Sequence, residues 1–310
     1  MSNDEEATAR TILAALGLEP AGLSRLRSGF ASEAWLVRRA GQPGVLRIAT
    51  DPADPAETYV TEHALLAHLA AAGAPVPVPV AGNWQVEGWQ LGPFSLTSFV
   101  PGVPLRADAH AWAAEPIAGF LRLLHAIPAA GFGPLVVRSG RFAGRRADPE
   151  AGLLAAFEGY SLWPFGGARL ADHPALRDRL GLVADISGQA GPIRSAALAG
   201  PAVIVHSDLH EENILQDGDR LAFIDFGEAF VAAAEWDLAA IAYFGGWPLA
   251  ERVIAAYGAR GGDTVRRPAA VTALALCFSL FRWEQDGRLG LNDPAWSEAF
   301  LGETLARLSP

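Results

Sequence analysis

Apolar and polar residues alternate differently in the two parts of the chain. In the first hundred residues, short apolar runs at 34–38, 45–49, 89–91 and 94–100 lie between Gly- and Pro-rich turns, so they predict strands. Apolar residues three and four positions apart predict a helix in the segment PAETYVTEHALLAHLAAAG, which ends at Gly73. This part of the chain is therefore expected to be mostly strand.

The segment FVPGVPL, residues 99–105, ends this pattern with two prolines and a glycine. Beyond it, helical spacing recurs in segments such as AWAAEPIAGFLRLLHAIP, EWDLAAIAYFGG and PAWSEAFLGETLARL. The predicted fold class is α+β, with a small strand-rich lobe at 1–98 and a larger, largely helical lobe at 99–310.

Charge narrows the classes of partner. The chain has 310 residues, of which 51% are apolar, with a net charge of −10 and a pI near 5.2. A protein that binds a nucleic-acid backbone needs a positive face, so nucleic acid is not expected as a partner. The same negative charge mildly favours a cationic small molecule. All 24 basic residues are arginine, a bias that matters where a site normally uses lysine.

The single cysteine, Cys277, excludes an intramolecular disulfide and any metal site built from several cysteines. This fits the reducing cytoplasm. The first ten residues, MSNDEEATAR, are acidic and polar where a secretory signal is basic and then apolar. The longest apolar stretch, near VTALALCFSLF, is too short to span a bilayer. We therefore predict a cytoplasmic protein without a membrane partner.

Two short apolar runs each end in an aspartate. They are VIVHSD, ending at Asp208, and LAFID, ending at Asp225. Turn residues GDR precede the second run, so we expect the two runs to be neighbouring strands that bring both carboxylates to one end of a small sheet.

The residues around these aspartates match two kinase motifs. His206, Asp208, Leu209 and Asn213 fit H-R-D-L-x-x-x-N with serine in place of arginine, and residues 225–227 read D-F-G. The chain resembles the aminoglycoside phosphotransferase and choline kinase group, small-molecule kinases with the two-lobed protein-kinase-like fold. The resemblance covers essentially the whole chain. It implies that residues 1–98 bind the nucleotide and that 99–310 hold the catalytic loop and the acceptor site.

The resemblance implies a role for each motif residue. Asp208 is the catalytic base that takes the proton of the attacking hydroxyl. Asn213 and Asp225 supply oxygen ligands to Mg²⁺, which accompanies ATP or GTP as the co-substrate. His206 is interpreted as a hydrogen-bonded scaffold of the loop, and Asp237 as its structural support.

The nucleotide site is marked less clearly. Arg47 stands where these kinases place a phosphate-binding residue, most often lysine, and Glu62 is placed to pair with it. The alternative interpretation is that both residues are solvated side chains on the surface. Backbone amides and hydroxyls near the phosphates are expected from Ser28, Gly29 and Ser32. The adenine edge is expected to meet backbone groups at 98–100, from Ser98 to Val100.

The acceptor pocket is expected in the helical lobe. No A-P-E motif follows D-F-G, and His210 replaces the lysine usual in protein-serine kinases, so both features favour a small acceptor. Four acids are candidates to hold amines or are simply solvated: Glu228, Glu235, Glu284 and Asp286. Three tryptophans are candidates to stack on a ring, although a core position is favoured: Trp163, Trp247 and Trp283.

Three hypotheses on function follow. The first is a kinase that transfers the γ-phosphate of ATP or GTP to a hydroxyl of a small metabolite or antibiotic, such as an amine-bearing aminoglycoside, acting as a monomer or homodimer. The second is a catalytically silent kinase-like protein that binds a nucleotide or another ligand. The third is a metallohydrolase, from the H-x-D-x-H spacing of His206, Asp208 and His210.

Overall fold

The computed structural model describes residues 3–26, 32–39, 41–51, 56–156, 176–187, 191–259, 268–289 and 294–308. The chain divides into two compact units: the first comprises Met1–Val103 and Asp217–Gly227, and the second comprises Pro104–Gln216 and Glu228–Pro310. The short segment that contains D-F-G therefore folds with the N-terminal unit.

The helices in the described residues are α1 (Asn3–Ala15), α2 (Ala56–Ala71), α3 (His110–His125), α4 (Pro149–Ala156), α5 (Leu180–Ser187), α6 (Pro192–Leu198), α7 (Glu235–Gly245), α8 (Trp247–Ala259), α9 (Pro268–Leu289) and α10 (Pro294–Leu308). The strands are β1 (Gly22–Arg25), β2 (Ser32–Arg38), β3 (Gly44–Ala49), β4 (Pro79–Gly82), β5 (Phe94–Ser98), β6 (Val103–Pro104), β7 (Ala129–Ala130), β8 (Phe132–Arg138), β9 (Arg141–Arg146), β10 (Ala202–Val205), β11 (Ile214–Asp217), β12 (Arg220–Phe223) and β13 (Phe230–Ala233). Within the described parts of the chain, no helix is long and apolar enough to cross a membrane.

The first unit is built on a five-stranded antiparallel sheet in the order β1-β2-β3-β5-β4. Alternate residues of β3 are buried, so Leu46 and Ile48 contact the core while Arg47 points to the other face. Helix α1 packs Ile12 and Leu13 into the same apolar cluster. The sheet therefore presents the Arg47 side chain on the face away from this cluster.

One strand of this sheet lies elsewhere than predicted. The segment 89–91 forms no strand, because Trp89 Nε1 donates to the Gly92 carbonyl at 2.6 Å in a turn between Gly88 and Gly92, which have φ of 70° and 91°. The strand is instead β4, in the proline-rich segment before it. β4 lies at the sheet edge, where a residue without an N–H is tolerated.

The second unit combines helices with a second five-stranded sheet, in the order β10-β13-β8-β9-β7. The prediction from sequence left out β7, β8 and β9. β8 and β9 form a hairpin whose turn residues, Ser139 and Gly140, both have positive φ, at 49° and 73°. Two such residues are typical of the tight turn that joins paired strands. Helix α7 lies in the centre of this unit, with nine residues buried from Glu235 to Tyr243.

The expected pairing of the two aspartate-bearing strands is wrong. β10, which leads to Asp208, pairs antiparallel with β13, and Val205 lies opposite Phe230. β12, which leads to Asp225, belongs to the first unit. The apolar run at 230–233 was available as a partner but carries no turn signal next to β10, so pattern alone did not identify it. The predicted α+β class, with a strand-rich N-terminal part and a mainly helical remainder, is confirmed.

Candidate active site

The first group of site residues lies in the second unit, in the loop at 206–213 that follows β10. The loop ends in a short 3₁₀ turn at Glu211–Asn213. His210 caps this turn, because its Nδ1 accepts the Glu212 N–H at 3.2 Å. Local hydrogen bonds therefore fix the segment between Asp208 and Asn213.

Two side chains of this loop approach the Asp208 carboxylate. Asn213 Nδ2 donates to Asp208 O at 2.8 Å and to Asp208 Oδ2 at 3.2 Å. His210 Nε2 lies 3.5 Å from the same Oδ2. Because His210 Nδ1 accepts a backbone N–H, the proton of the neutral ring lies on Nε2, which faces Asp208. Both neighbours thus hold the carboxylate by one oxygen, Oδ2.

The surroundings keep Asp208 ionised. Burial acts to raise the pKa of Asp208, but the hydrogen bond and charge of His210, with the charges of His206 and Arg282, outweigh burial and lower it. Burial acts to lower the pKa of His210, whereas the Asp208 carboxylate and neighbouring acids raise it. Asp208 is therefore an anion at neutral pH, which is the form that accepts a proton.

Asp237 of α7 supports the same loop from below. Its buried carboxylate accepts the His206 N–H at 3.0 Å and the Ser207 N–H at 2.7 Å. Ser207 has φ of 72°, a conformation that is costly for a residue with a Cβ. The buried ring of His206 lies with Nδ1 3.4 Å from the Asp208 amide, which donates to it. The interpretations of His206 as a scaffold and Asp237 as a support agree with these contacts.

The second group lies in the first unit and brings together Arg47, Glu62 and Asp225. The Arg47 guanidinium pairs with the Glu62 carboxylate of α2 and donates through Nη1 to Asp225 Oδ1 at 2.7 Å. Glu62 Oε1 also accepts the Phe226 N–H at 3.3 Å. Glu62 is 4% exposed and Asp225 is 53% exposed. Arg47 and Glu62 are therefore an internal pair, and the alternative of two solvated surface side chains is excluded.

The charges of this group affect the pKa values of Arg47 and Glu62. Burial opposes the charge of Arg47, but the Glu62 and Asp225 carboxylates raise the pKa of Arg47. Burial raises the pKa of Glu62, while Arg47 acts to lower it. Asp225 itself has φ of 62°, so the D-F-G backbone is held in a left-handed conformation. The result is a charged centre whose outer carboxylate faces solvent.

The remaining nucleotide-site candidates fall in several places. Ser32 begins β2, and its hydroxyl hydrogen-bonds Tyr59, whose pKa burial raises to about 12. Ser98 is buried, and its Oγ accepts the Val78 N–H at 2.8 Å, so its side chain is used within the sheet. Val100 follows the end of β5 and is half-buried. Ser28 and Gly29 lie outside the described residues.

Each unit contains an oxygen donor of the kind that Mg²⁺ binds. Asp225 of the first unit offers an exposed carboxylate, and Asn213 of the second unit, which donates through Nδ2, offers its amide oxygen. Mg²⁺ is commonly held by one or two protein oxygens together with substrate phosphates. Among the residues that the structure describes, no group of three or more His, Cys, Asp or Glu side chains surrounds a metal position. The metallohydrolase hypothesis therefore has no site in that part of the chain.

The acceptor-site candidates divide into buried and exposed side chains. Glu235 is fully buried at the start of α7, so it is not a solvent-facing ligand for an amine. Trp247 is core, as favoured: its ring stacks on Phe300, and its Nε1 donates to Thr304 at 3.2 Å. Glu228 is exposed. Four candidates have side chains outside the described residues: Trp163, Trp283, Glu284 and Asp286.

Sequence patterns did not identify Tyr59, His125 or Tyr257. The centre of the Tyr59 ring lies 5.6 Å from the Arg47 guanidinium carbon. His125 and Tyr257 join Asp237 through hydrogen bonds within the second unit. Each is an aromatic residue on a predicted helix, which by itself is typical of a core position. No spacing signal marks their polar atoms.

Comparisons with known proteins show the family and the fold. The sequence model described as "Phosphotransferase enzyme family" matches residues 22–271. A search of curated proteins found no significant match.

Solved structures share the fold over nearly the whole chain. One is a thermostable mutant of aminoglycoside phosphotransferase APH(4)-Ia in a ternary complex with AMP-PNP and hygromycin B, with a TM-score of 0.69, 18% identity, and coverage of 96% of this chain and 97% of that one. Another is the GDP and kanamycin complex of APH(2")-IIia, with a TM-score of 0.64, 19% identity, and coverage of 97% and 99%. A third is the GDP complex of aminoglycoside 2'-phosphotransferase-IIIa, with a TM-score of 0.66, 19% identity, and coverage of 99% of both chains.

These findings confirm the resemblance drawn from the motifs and the protein-kinase-like fold class. The predicted class of enzyme, a phosphotransferase with an alcohol group as acceptor, is confirmed as well.

Proposed function

The chain belongs to the phosphotransferase enzyme family, and we propose that it is a small-molecule kinase that transfers the γ-phosphate of ATP or GTP to a hydroxyl of an amine-bearing acceptor such as an aminoglycoside. The observation that carries the proposal is the D-F-G segment itself. It folds with the first unit, where Asp225 is held by Arg47, which in turn pairs with Glu62. A nucleotide-binding role gives each of these charges a purpose.

Asp208 is the catalytic base in this proposal. The acceptor oxygen forms a bond to the γ-phosphorus, the bond to the β–γ bridging oxygen breaks, and the acceptor proton passes to Asp208. Asn213 and His210 both contact Oδ2. We therefore assign the other oxygen, Oδ1, to the acceptor hydroxyl.

Asp225 and Asn213 would hold Mg²⁺, which supplies charge neutralisation on the phosphates when it is bound. Arg47 would contact the α- and β-phosphates with its forked N–H groups, because a guanidinium binds phosphate in a bidentate manner. Glu62 orients Arg47. Ser28, Gly29 and Ser32 belong to the proposed phosphate-covering segment.

Residues 1–98 are the proposed nucleotide lobe, with Ser98 and Val100 at the adenine edge. The N–H of Ser98 already donates to Val78 O at 2.8 Å within the sheet. Adenine recognition at Ser98 would therefore use its carbonyl, and Val100 would contribute its backbone groups beyond the strand. Residues 99–310 are the proposed lobe for the catalytic loop and the acceptor.

The acceptor class rests on two supports. Structures with the same fold bind hygromycin B or kanamycin together with a nucleotide. The net charge of −10 favours a cationic ligand. A cytoplasmic monomer or homodimer that modifies an antibiotic, and so confers resistance to it, is the most specific form of the proposal.

The test combines binding with turnover. Thermal shifts with MgATP and MgGTP are followed by measurement of nucleotide turnover with hygromycin B, kanamycin and other hydroxyl acceptors. We expect a Mg²⁺-dependent shift and phosphorylation of at least one acceptor. Binding without turnover on every acceptor would support the silent kinase-like protein instead.

Asp225→Asn tests the metal assignment within the same experiment. The variant should lose the Mg²⁺-dependent part of the thermal shift, because an amide is a weaker ligand than a carboxylate. Asp219→Asn is the control, since Asp219 is an exposed acid in the turn before β12 of the same unit. If Asp225→Asn keeps the full metal dependence, the cation is held elsewhere.

A further inference from the structure

A buried chain of hydrogen bonds runs from helix α8 to the backbone of the 206–213 loop. The Tyr257 hydroxyl lies 2.9 Å from His125 Nδ1, and His125 Nε2 lies 3.1 Å from Asp237 Oδ2. Asp237 then accepts the N–H groups of His206 and Ser207. All four contacts lie within the second unit.

The direction of each hydrogen bond follows from chemistry. A carboxylate only accepts, so His125 donates to Asp237 through Nε2. In the neutral ring, Nδ1 is then an acceptor, and the Tyr257 hydroxyl donates to it. Three donors thus reach the Asp237 carboxylate, two from the backbone and one from His125. Removing Tyr257 or His125 changes what Asp237 can hold.

The hydrogen-bond chain is buried along its whole length. Asp237 is 0% exposed, Tyr257 is 3% exposed and His125 is 8% exposed. An unpaired polar group in such a place is costly, because no water replaces the lost partner. The orientation of Asp237 is therefore set by these protein partners.

The hydrogen-bond chain ends at the backbone of Ser207, whose conformation needs support. Ser207 has φ of 72°, and it directly precedes Asp208. A residue in this region persists where its surroundings fix it, and Asp237 Oδ1 accepts its N–H at 2.7 Å. A shift of Asp237 would therefore move the peptide that aims the Asp208 side chain.

The two residues at the outer end of the hydrogen-bond chain, His125 and Tyr257, lie on helices that contact each other. His125 is the last residue of α3, and Tyr257 lies in the last turn of α8. The two helices are also joined next to the chain, where Arg122 Nη1 donates to Ala256 O at 2.9 Å. This neighbouring contact ties the helices together but does not lead to Asp237.

We propose that Tyr257 and His125 are positioning residues for phosphoryl transfer, which act through Asp237 on the backbone at 206–207 and so aim Asp208. This proposal rests on the proposed kinase function. Neither residue touches the reacting atoms. Their effect is expected on kcat, because the nucleotide-binding charges lie in the first unit.

Three substitutions separate the links of the chain. Tyr257→Phe removes only the hydroxyl. His125→Gln places an amide nitrogen near the former Nε2 and can still donate to Asp237. His125→Asn reaches only the former Nδ1 position, so it keeps a partner for Tyr257 but loses Asp237. Arg122→Gln is the control, because it weakens the α3–α8 contact without entering the chain.

Kinetics with MgATP and the acceptor that reacts best, starting with hygromycin B and kanamycin, give the first readout. We expect Tyr257→Phe to lower kcat by about 3- to 10-fold, the effect of one lost hydrogen bond. His125→Asn should lower kcat by about 10- to 100-fold through misalignment, and His125→Gln should recover most of that loss. KM for MgATP should stay unchanged in all three. If His125→Gln and His125→Asn are equally impaired, or if Arg122→Gln lowers kcat as much as Tyr257→Phe, the positioning role is wrong.

Hydrogen exchange gives a second readout that needs no catalysis. Backbone amides at 203–213 should exchange faster in Tyr257→Phe and His125→Asn than in the wild type or in Arg122→Gln. If the wild type transfers phosphate to no acceptor, the kinase proposal fails, yet the exchange rates still decide whether the chain holds the loop. Unchanged exchange at 203–213 in both variants would overturn the inference.

Discussion

In each unit, a helix carboxylate accepts the N–H of a residue next to a candidate site aspartate, but the two carboxylates differ in their other partners. In the first unit, Asp225 has φ of 62°, and the buried Glu62 accepts the N–H of the next residue, Phe226. In the second unit, Ser207 has φ of 72° just before Asp208, and the buried Asp237 accepts its N–H. In both cases a carboxylate from a helix stabilises a costly backbone conformation.

The difference lies in what else each carboxylate binds. Glu62 pairs with Arg47, a cation that also contacts the exposed Asp225. Asp237 is bound by His125, which is fixed in turn by Tyr257 within the core. Under the proposed function, Arg47 in the first arrangement would exchange the Asp225 carboxylate for a phosphate, whereas the partners of Asp237 are all buried or backbone groups. We infer that the first unit responds to the nucleotide and the second unit keeps the base in place.

The largest effect is expected at Asp208. Asp208→Ala should lower kcat by about 10²- to 10⁴-fold, as for a positioned base. KM for the nucleotide should stay nearly constant, because the charges proposed to bind the phosphates lie in the other unit. Steady-state kinetics with MgATP measure both. Asp178→Ala, an exposed acid in the second unit, is the control and should behave as the wild type. Near-full activity of Asp208→Ala would contradict the assignment.

Glu62→Gln tests the responsive side of the comparison. The substitution leaves the Arg47 guanidinium without its buried counter-charge, so we expect a loss of about 3 kcal/mol in the free energy of unfolding. Nucleotide affinity should fall as well, because Arg47 is no longer oriented. Urea unfolding and MgATP binding measure the two effects.

Two variants frame that result. Glu57→Gln, at the exposed start of the same helix, should leave both quantities unchanged. Asp237→Asn should lower kcat while nucleotide affinity stays as in the wild type. If Asp237→Asn weakens nucleotide binding as much as Glu62→Gln does, the two carboxylates do not have separate roles.

His63, next to Glu62, gives a pH-dependent test of the first unit. Its Nε2 lies 2.7 Å from Ser95 Oγ, and burial, with a smaller effect of Arg47, lowers its pKa from 6.5 to about 4. Between these values the unfolded chain binds a proton that the folded one does not. The contribution of His63 to the free energy of unfolding is therefore fully present above pH 6.5, and about 3 kcal/mol of it is lost as the pH drops to 4.

Urea unfolding at pH 7 and pH 4 measures this dependence. His63→Gln, which keeps a hydrogen-bonding side chain but does not titrate, should show a smaller loss on acidification than the wild type. His68→Gln, on the exposed side of the same helix, should retain the wild-type dependence. Identical pH profiles for His63→Gln and the wild type would show that His63 is not held neutral.

The smallest effect is expected at the left-handed residue itself. Ser207→Gly removes the Cβ penalty of about 1–2 kcal/mol but adds chain entropy to the unfolded state, so the net gain in the free energy of unfolding should be at most about 1 kcal/mol. Ser139→Gly, in the β8–β9 turn at φ of 49°, should give a similar gain. Only Ser207→Gly should also lower kcat, because a glycine loosens the peptide before Asp208. Equal kcat in both variants would show that Ser207 needs no rigid support.

Local signals in the sequence were sufficient where structure and chemistry are both local. The H-x-D-L-x-x-x-N and D-F-G residues and helices such as α7 and α9 follow from spacing within short segments, whereas the pairing of Arg47 with Glu62 follows from the resemblance to known kinases. These features depend on neighbours along the chain or on a motif whose chemistry fixes its residues.

Features set by distant contacts were not predictable. β4 forms at a sheet edge that tolerates its prolines, and β10 pairs with β13 although nothing near β10 marks that partner. The chain from Tyr257 to Asp237 joins residues more than a hundred positions apart in its longest links. A histidine or tyrosine on an amphipathic helix looks like a core residue, because the sequence shows its type and not the partner of its polar atom.

A crystal structure with Mg²⁺ and AMP-PNP tests the central claim most directly. We expect one Mg²⁺ with an Asp225 carboxylate oxygen and the Asn213 amide oxygen as ligands at about 2.0–2.1 Å, Arg47 on the α- or β-phosphate, and Asp208 Oδ1 open toward the γ-phosphate. A nucleotide bound without either ligand on the metal, or with Asp208 turned away from the γ-phosphate, would contradict the account.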